Sequence, residues 1–114
     1  MVDAVQVQFS IDDRTRGDAI ASELLRERLV ACVQTVGPIT SRYWWNGSID
    51  EAHEWLFVCK THTEHTDAVM ELIRNRHPYE IPEIVVFDLG PVNEAYGAWI
   101  VAETTGPRDG VGHG

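Results

Sequence analysis

The chain has 114 residues, 44% of them hydrophobic and 24% charged, enough for one domain with a single core and no disulfide staples. Eighteen acids against nine basic residues give a formal charge of −9, which repels phosphate backbones and anionic lipid and argues against nucleic-acid or membrane binding. No apolar run approaches the roughly 20 residues of a membrane span. The opening MVDAVQVQFSIDD also carries acids where a secretory signal carries bases, so a cytoplasmic protein with free thiols at Cys32 and Cys59 is expected.

Residues 4–11, AVQVQFSI, alternate apolar and polar with the period of a half-buried strand. DDRT then supplies helix-start residues, and Ile20, Leu24 and Leu25 share a face of a helix ending near Leu29, with Gly17 weakening its first turn. ACVQTVGPITSRYWW reads as a long strand interrupted at Gly37-Pro38. Proline cannot donate to a sheet ladder, so a bulge or bend is expected there. Asn46-Gly47 is a strong hairpin signal, because both residues tolerate positive φ, and residues 48–61 form the return strand.

Thr61 and Glu64 are spaced as a capping box before a second helix, whose apolar side carries Val69, Met70, Leu72 and Ile73 and which Pro78 ends. The continuous run EIVVFDL, residues 83–89, predicts a central fourth strand. Residues 93–104 predict a short final helix capped by Asn93. Residues 1–104 thus form one domain, and the Gly-rich 105–114 reads as a flexible tail.

The order β-α-β-β-α-β is the ferredoxin-like plan of the α+β class, with two helices over one face of an antiparallel sheet. The hairpin arms, at about fourteen residues each, exceed the usual strand of about five or six. Left in water, an arm tipped by Tyr43, Trp44 and Trp45 is an aggregation hazard, and pairing with further copies of the chain resolves it. A homo-oligomer closed into a ring is expected.

Counting back from the turn puts Cys59 opposite Gln34 and Cys32 opposite Thr61, as diagonal neighbours on one face, unless the bulge shifts the register by one. Such thiols suit packing better than a soft-metal pair. His62 and His65 fall on one side of a helix start. His77 falls where the second helix ends, either as a cap against the helix dipole or as a ligand joined by Glu80 and Glu83, a donor set suited to Zn²⁺ or Cu²⁺. No nucleophile–base motif and no phosphate-cradling loop is present, so the residues point to binding rather than catalysis. The tryptophans, Trp44, Trp45, Trp55 and Trp99, suit core and interface.

The stretches ACVQTVGPITSRYWWNGSIDEAHEWLFVCKT, HPYEIPEIVVF and YGAWI, in that order, resemble the CutA family of divalent-cation tolerance proteins over residues 4–103. The resemblance implies a ferredoxin-like fold and a homotrimer assembled through the long hairpins. It further implies a role in tolerance of copper or another divalent cation by metal binding, with no cofactor needed for folding. It makes Cys32 the copper-associated cysteine, so that Cys32, His77, Glu80 and Glu83 are the candidate metal residues. Trp45, Glu54, Lys60, Tyr79, Tyr96 and Trp99 then line the cleft between subunits.

Lys60 is expected to meet a carboxylate such as Glu83 or Glu54, either as an intersubunit ion pair or as a contact for an anionic ligand. The trimer resembles that of the PII signalling proteins, so a sensor of a small anionic ligand is an alternative, and a structural anchoring trimer for an unknown protein partner is another. Gly90-Pro91-Val92-Asn93 and Tyr96-Gly97 depart from the family's usual lead into the last helix.

Overall fold

A computed structural model describes residues 3–106. The elements are β1 (Ala4–Ile11), α1 (Arg14–Arg26), β2 (Cys32–Trp45), β3 (Ser48–His62), α2 (Thr66–Arg76), β4 (Ile84–Asp88) and α3 (Glu94–Glu103). The four strands form one sheet in the order β2-β3-β1-β4, with every pairing antiparallel. This is the ferredoxin-like α+β arrangement. The tail expected from residue 105 lies, beyond Gly106, outside the described residues. Among the described residues no helix is long and apolar enough to cross a membrane.

Alternation along β1 decides which face is covered. Val5, Val7, Phe9 and Ile11 are buried beneath the helices, and their partners Thr61, Cys59 and Phe57 on β3 face the same way. Phe9 and Phe57 stack with ring centroids 5.0 Å apart. From above, α1 contributes Ile20, Ala21 and Leu24, and α2 contributes Val69 and Ile73. Leu25, expected on this face, is 41% exposed, because the step from Leu24 turns it about 100° around the helix. Gly17 has a packing reason. A Cβ there would stand 2.3 Å from a Phe57 ring carbon, so only glycine lets α1 settle onto the stacked pair.

At the hairpin, Asn46 and Gly47 take φ of 50° and 81°, and Trp45 pairs with Ser48 as counted from the turn. Between Val36 and Ile39 the register slips by one, at the Gly37-Pro38 interruption. Below the slip Val33 pairs with Cys59 and Cys32 with Lys60. The two thiols therefore lie on opposite faces, and the same-face placement obtained without the slip is corrected. Cys59 joins the core, where burial pushes its thiol up to about 12.

Two further expectations change. Strand β3 runs on through His62, and a 3-10 turn over Thr63–His65 precedes α2, so Thr61 is not a cap. Its buried hydroxyl donates instead to the Leu29 carbonyl at 2.6 Å. The apolar run of β4 lies at the sheet edge, not the centre, because β1 alone pairs with it. Ile84 and Val86 pack onto the core, while Phe87 is 48% exposed on the opposite face.

Pairing of β1 with β3 stops at Ile11 and Trp55, so the outer hairpin holds only itself. The molecule is accordingly elongated, 50 × 33 × 22 Å, with Trp44 73% exposed at the far end. Because Gly17 meets the ring of Phe57 directly, Gly17→Ala is expected to lower stability by about 1–3 kcal/mol through overpacking. Thermal unfolding beside the unaltered chain checks this, and an unchanged midpoint would mean that the helix shifts freely.

Candidate functional site

The turn after α2 is fastened by His77. Pro78 prevents the helix from continuing, and the His77 backbone N–H closes the last turn onto Ile73. The His77 ring is buried, edge-on to Phe9 and Tyr79. Its Nδ1 accepts from the Tyr79 backbone N–H at 3.2 Å, so Nε2 carries the hydrogen and donates to the Ser10 carbonyl at 2.7 Å. Both ring nitrogens are engaged. His77 ties the turn to β1 and keeps no lone pair for a metal ion.

This strap positions Tyr79, whose hydroxyl donates to Glu54 Oε2 at 2.7 Å. Glu54 projects from β3 just beyond the end of β1 and is only 5% exposed. Between the hairpin arm and the turn lies an open groove of about 740 Å³. Five carboxylates line it, those of Asp12, Asp50, Glu54, Glu80 and Glu83, beside the rings of Tyr43, Trp44, Trp45 and Tyr79. The one basic side chain in the lining, Arg42, is held by Glu51 across the hairpin at 2.9 Å.

Both phenols sense this environment. Burial first, and then the hydrogen bond and charge of Glu54, raise the Tyr79 phenol above its ordinary value near 10. The Tyr43 phenol is also raised, by burial and then by the negative charges of Asp50, Glu54 and Asp12.

A second cluster lies at the opposite end of the hairpin. The Asn93 side chain caps α3 by accepting from the N–H groups of Ala95 and Tyr96, and so sets the first turn that carries Tyr96. Tyr96 stacks on Trp99, and its hydroxyl lies 3.7 Å from Cys32 Sγ. Burial, and then the contact with Cys32, push the Tyr96 phenol up to about 12. Lys60 sits opposite Cys32 and donates to Gln34 Oε1 at 2.6 Å. Within one chain Lys60 does not meet Glu54, which lies six residues along the strand, roughly 20 Å away; an ion pair between subunits is a matter for the assembly.

Within one chain the residues singled out in the sequence therefore fall into two groups. Trp45, Glu54, Tyr79, Glu80 and Glu83 meet at the groove, with His77 behind them. Cys32, Lys60, Tyr96 and Trp99 meet at the other end. The four candidate metal residues are not gathered, and among the described residues no group of three or more His, Cys, Asp or Glu is placed to hold a metal ion. His62 and His65 do share a side, flanking Glu64 with nitrogens 3.7 and 3.4 Å from its Oε1. The sequence reading missed Asp12, Tyr43 and Asp50 as groove residues. The turn register carried that signal, because Asp50 pairs with Tyr43 by direct count from Asn46-Gly47.

Folding raises the affinity of Tyr79 for its proton. Its contribution to stability is thus complete below about 10, the unfolded value, and is lost as the pH rises through the higher folded value. Ultraviolet titration is expected to show a late-ionising tyrosine that moves to lower pH in Glu54→Gln. A titration that Glu54→Gln leaves unchanged would contradict the assigned contact.

The family model described as CutA1 divalent ion tolerance protein matches residues 5–103. The divalent-cation tolerance protein CutA of Yersinia pestis (strain Pestoides F) is 30% identical over 99 residues, 87% of this chain and 83% of that protein. Among solved structures, the divalent cation tolerance protein of Thermus thermophilus is similar with TM-score 0.84 and 33% identity, covering 88% of this chain and 97% of that one. CutA1 of Oryza sativa gives TM-score 0.88 and 29% identity over 93% and 97%. The Archaeoglobus fulgidus relative, described as a periplasmic divalent cation tolerance protein, gives 0.86 and 27% over 89% and 98%. The chain belongs to the CutA1 divalent ion tolerance family.

Proposed function

We propose that the chain serves divalent-cation tolerance as a homotrimeric ion-binding protein of the cytoplasm, with copper the first ion to consider and no catalytic step. The observation that carries this reading is the acidic groove, in which a nearly buried carboxylate, Glu54, is backed by four more. Such a concentration of charge attracts cations. Assembly is supported by what one chain leaves uncovered. Among the described residues no strand lies beside the outer edge of β2, and Val36, Phe87, Trp44 and Ile49 stand exposed. Covering these with further copies in a closed ring removes both the open edge and the apolar surface.

In that assembly the two groups of residues need not meet within one chain. We assign the metal ligands to Cys32 of one copy and Glu80 and Glu83 of a neighbour, thiolate with carboxylate, leaving His77 as the strap behind them. Free Cys32 and Cys59 fit a reducing compartment. A sensor of an anionic ligand has less support, because the groove is acidic and the Lys60 ammonium is already bonded to Gln34. No observation favours the anchoring reading.

Calorimetric titration with Cu²⁺ tests the proposal, with the mass checked by light scattering and with His113→Ala as background, so that this histidine of the Gly-rich C-terminal stretch adds no ligand. A trimer is expected to bind saturably, and Cys32→Ser and Glu83→Gln are each expected to weaken binding at least about tenfold, or ~1.4 kcal/mol. Affinity should fall at acid pH, as protons compete for the ligands. Binding unaffected by either substitution would assign the ions to the general acidic surface and overturn the site.

A further inference from the structure

His77 stands between two backbone groups of opposite kind. The Ser10 carbonyl can only accept and the Tyr79 N–H can only donate, and both meet the same imidazole, at 2.7 and 3.2 Å. Only the neutral ring with its hydrogen on Nε2 serves both. The charged ring has two N–H donors and no acceptor, so it keeps Ser10 and loses Tyr79. Pro78 has no N–H, and the Tyr79 amide is therefore the first donor after His77 that can close this turn.

Burial decides which side gives way. The ring is 8% exposed and lies edge-on to Phe9, with centroids 6.1 Å apart, and to Tyr79 at 4.5 Å, which leaves it little room to swing. Charging strengthens its bond to the Ser10 carbonyl, while an Nδ1–H aimed at the Tyr79 N–H sets donor against donor. The ring therefore stays on β1 and the turn leaves, which also admits water to a charge that burial disfavours. The charged groups on the elements around the ring are Asp12 beyond β1, Glu54 on β3, Glu80 and Glu83 on the turn, and Arg76 at the end of α2, held by Glu23 of α1 at 3.0 Å. Both ring nitrogens meet backbone groups, so none of these is bonded to the ring. The Tyr79 phenol, raised above its ordinary value near 10, keeps its proton near neutrality and is not the sensor.

We propose that the turn carrying Tyr79, Glu80 and Glu83 is a latch released by acid: one proton taken up at His77 Nδ1 frees the Tyr79 amide, loosens the hold of Tyr79 on Glu54 and lets the turn leave β1. The released turn binds one proton more than the fastened turn, so the fastened form is lost as the pH falls and is complete as it rises. Ser10, His77 and Tyr79 belong to one chain, and the latch needs no neighbouring copy. Its consequence for ions rests on the cation-binding reading above. With Glu80 and Glu83 carried away on one turn, an ion is released in acid more steeply than competition of protons for the ligands alone would give.

The test is nuclear magnetic resonance of the full chain, ¹⁵N-labelled and free of metal, between about pH 8 and 5, the span in which imidazole titrates. Long-range ¹H–¹⁵N spectra follow the His77 ring nitrogens, and hydrogen exchange follows the Tyr79 amide. At the upper end the ring hydrogen is expected on Nε2. As the ring takes up its proton, protection of the Tyr79 amide is expected to fall by up to about tenfold per pH unit, the slope of a single linked proton. That direction is diagnostic, because free amides exchange more slowly as hydroxide falls.

His77→Asn keeps an acceptor for the amide two residues on, as in an Asx turn, but takes up no proton in this span. Its Tyr79 protection is expected to be independent of pH, although the other histidines remain. A Tyr79 amide indifferent to the charging of His77, a ring that stays neutral throughout the span, or a response that persists in His77→Asn would each overturn the latch. If the variant does not fold, the coincidence of ring and amide titrations in the unaltered chain still decides. Cu²⁺ titration at both ends of the span separates the two readings. A loss of affinity in acid that is smaller in His77→Asn supports the coupling to ions, and an equal loss overturns that coupling. A working latch without copper binding overturns the ion reading and leaves the latch.

Discussion

The one-residue slip between Val36 and Ile39 is the constraint on which the rest of the molecule depends. A strand alternates its faces at every residue, so a slip of one exchanges which side chains are buried. Above it, the count from Asn46-Gly47 sets Asp50 beside Tyr43 and places Glu54 at the root of the hairpin. Below it, Cys59 turns into the core and Cys32 turns out with Lys60 towards the open face. Without the slip Cys32 would pair with Thr61, whose hydroxyl is buried against the Leu29 carbonyl. The single irregularity lets one continuous strand serve two ends with different chemistry.

At one end the chemistry is hard and anionic, with carboxylates, phenols and indole rings around a groove. At the other it is a thiol held against a phenol and near an ammonium group. His77 contributes to the first end without facing it: its two ring nitrogens join β1 to the turn and thereby bring Tyr79 to Glu54. The uncovered features, a β2 edge unpaired among the described residues and exposed Trp44 and Phe87, are costly for a lone chain in water, and the proposed homotrimer would cover them. The proposed assembly would complete these surfaces with copies of the chain.

Much of this was legible in the residues. Periodicity in AVQVQFSI gave β1 to the residue, Asn46-Gly47 gave the turn, and Pro78 and Asn93 gave helix boundaries, because each acts locally on the backbone. The interruption at Gly37-Pro38 announced a bulge, but its direction depended on which face the helices would cover. The ambiguity over the thiols came from that single unknown. Strand β4 read as central because edge and centre differ only in long-range pairing, and its apolar run reflects a second face that one chain leaves bare. Site chemistry was less legible. His77, Glu80 and Glu83 are near neighbours in the sequence, and that nearness suggested a shared role. The buried ring of His77 instead turns inward to Ser10, a partner 67 residues away in the chain. Glu54 and Tyr79 became a pair only when the turn folded back on β3. Lys60 was matched to carboxylates, across subunits, from its charge and its apolar strand neighbours; within one chain, sheet register gives it Gln34, the diagonal neighbour.

Amide hydrogen exchange along β2, combined with mass measurement over a range of concentrations, tests the central claim most directly. If copies of the chain complete the structure, the outward amides of residues 39–45 should be protected as strongly as those facing β3, in a particle of three chains. Rapid exchange along that edge in a particle of one chain would contradict assembly through the hairpin, and with it the shared binding surfaces.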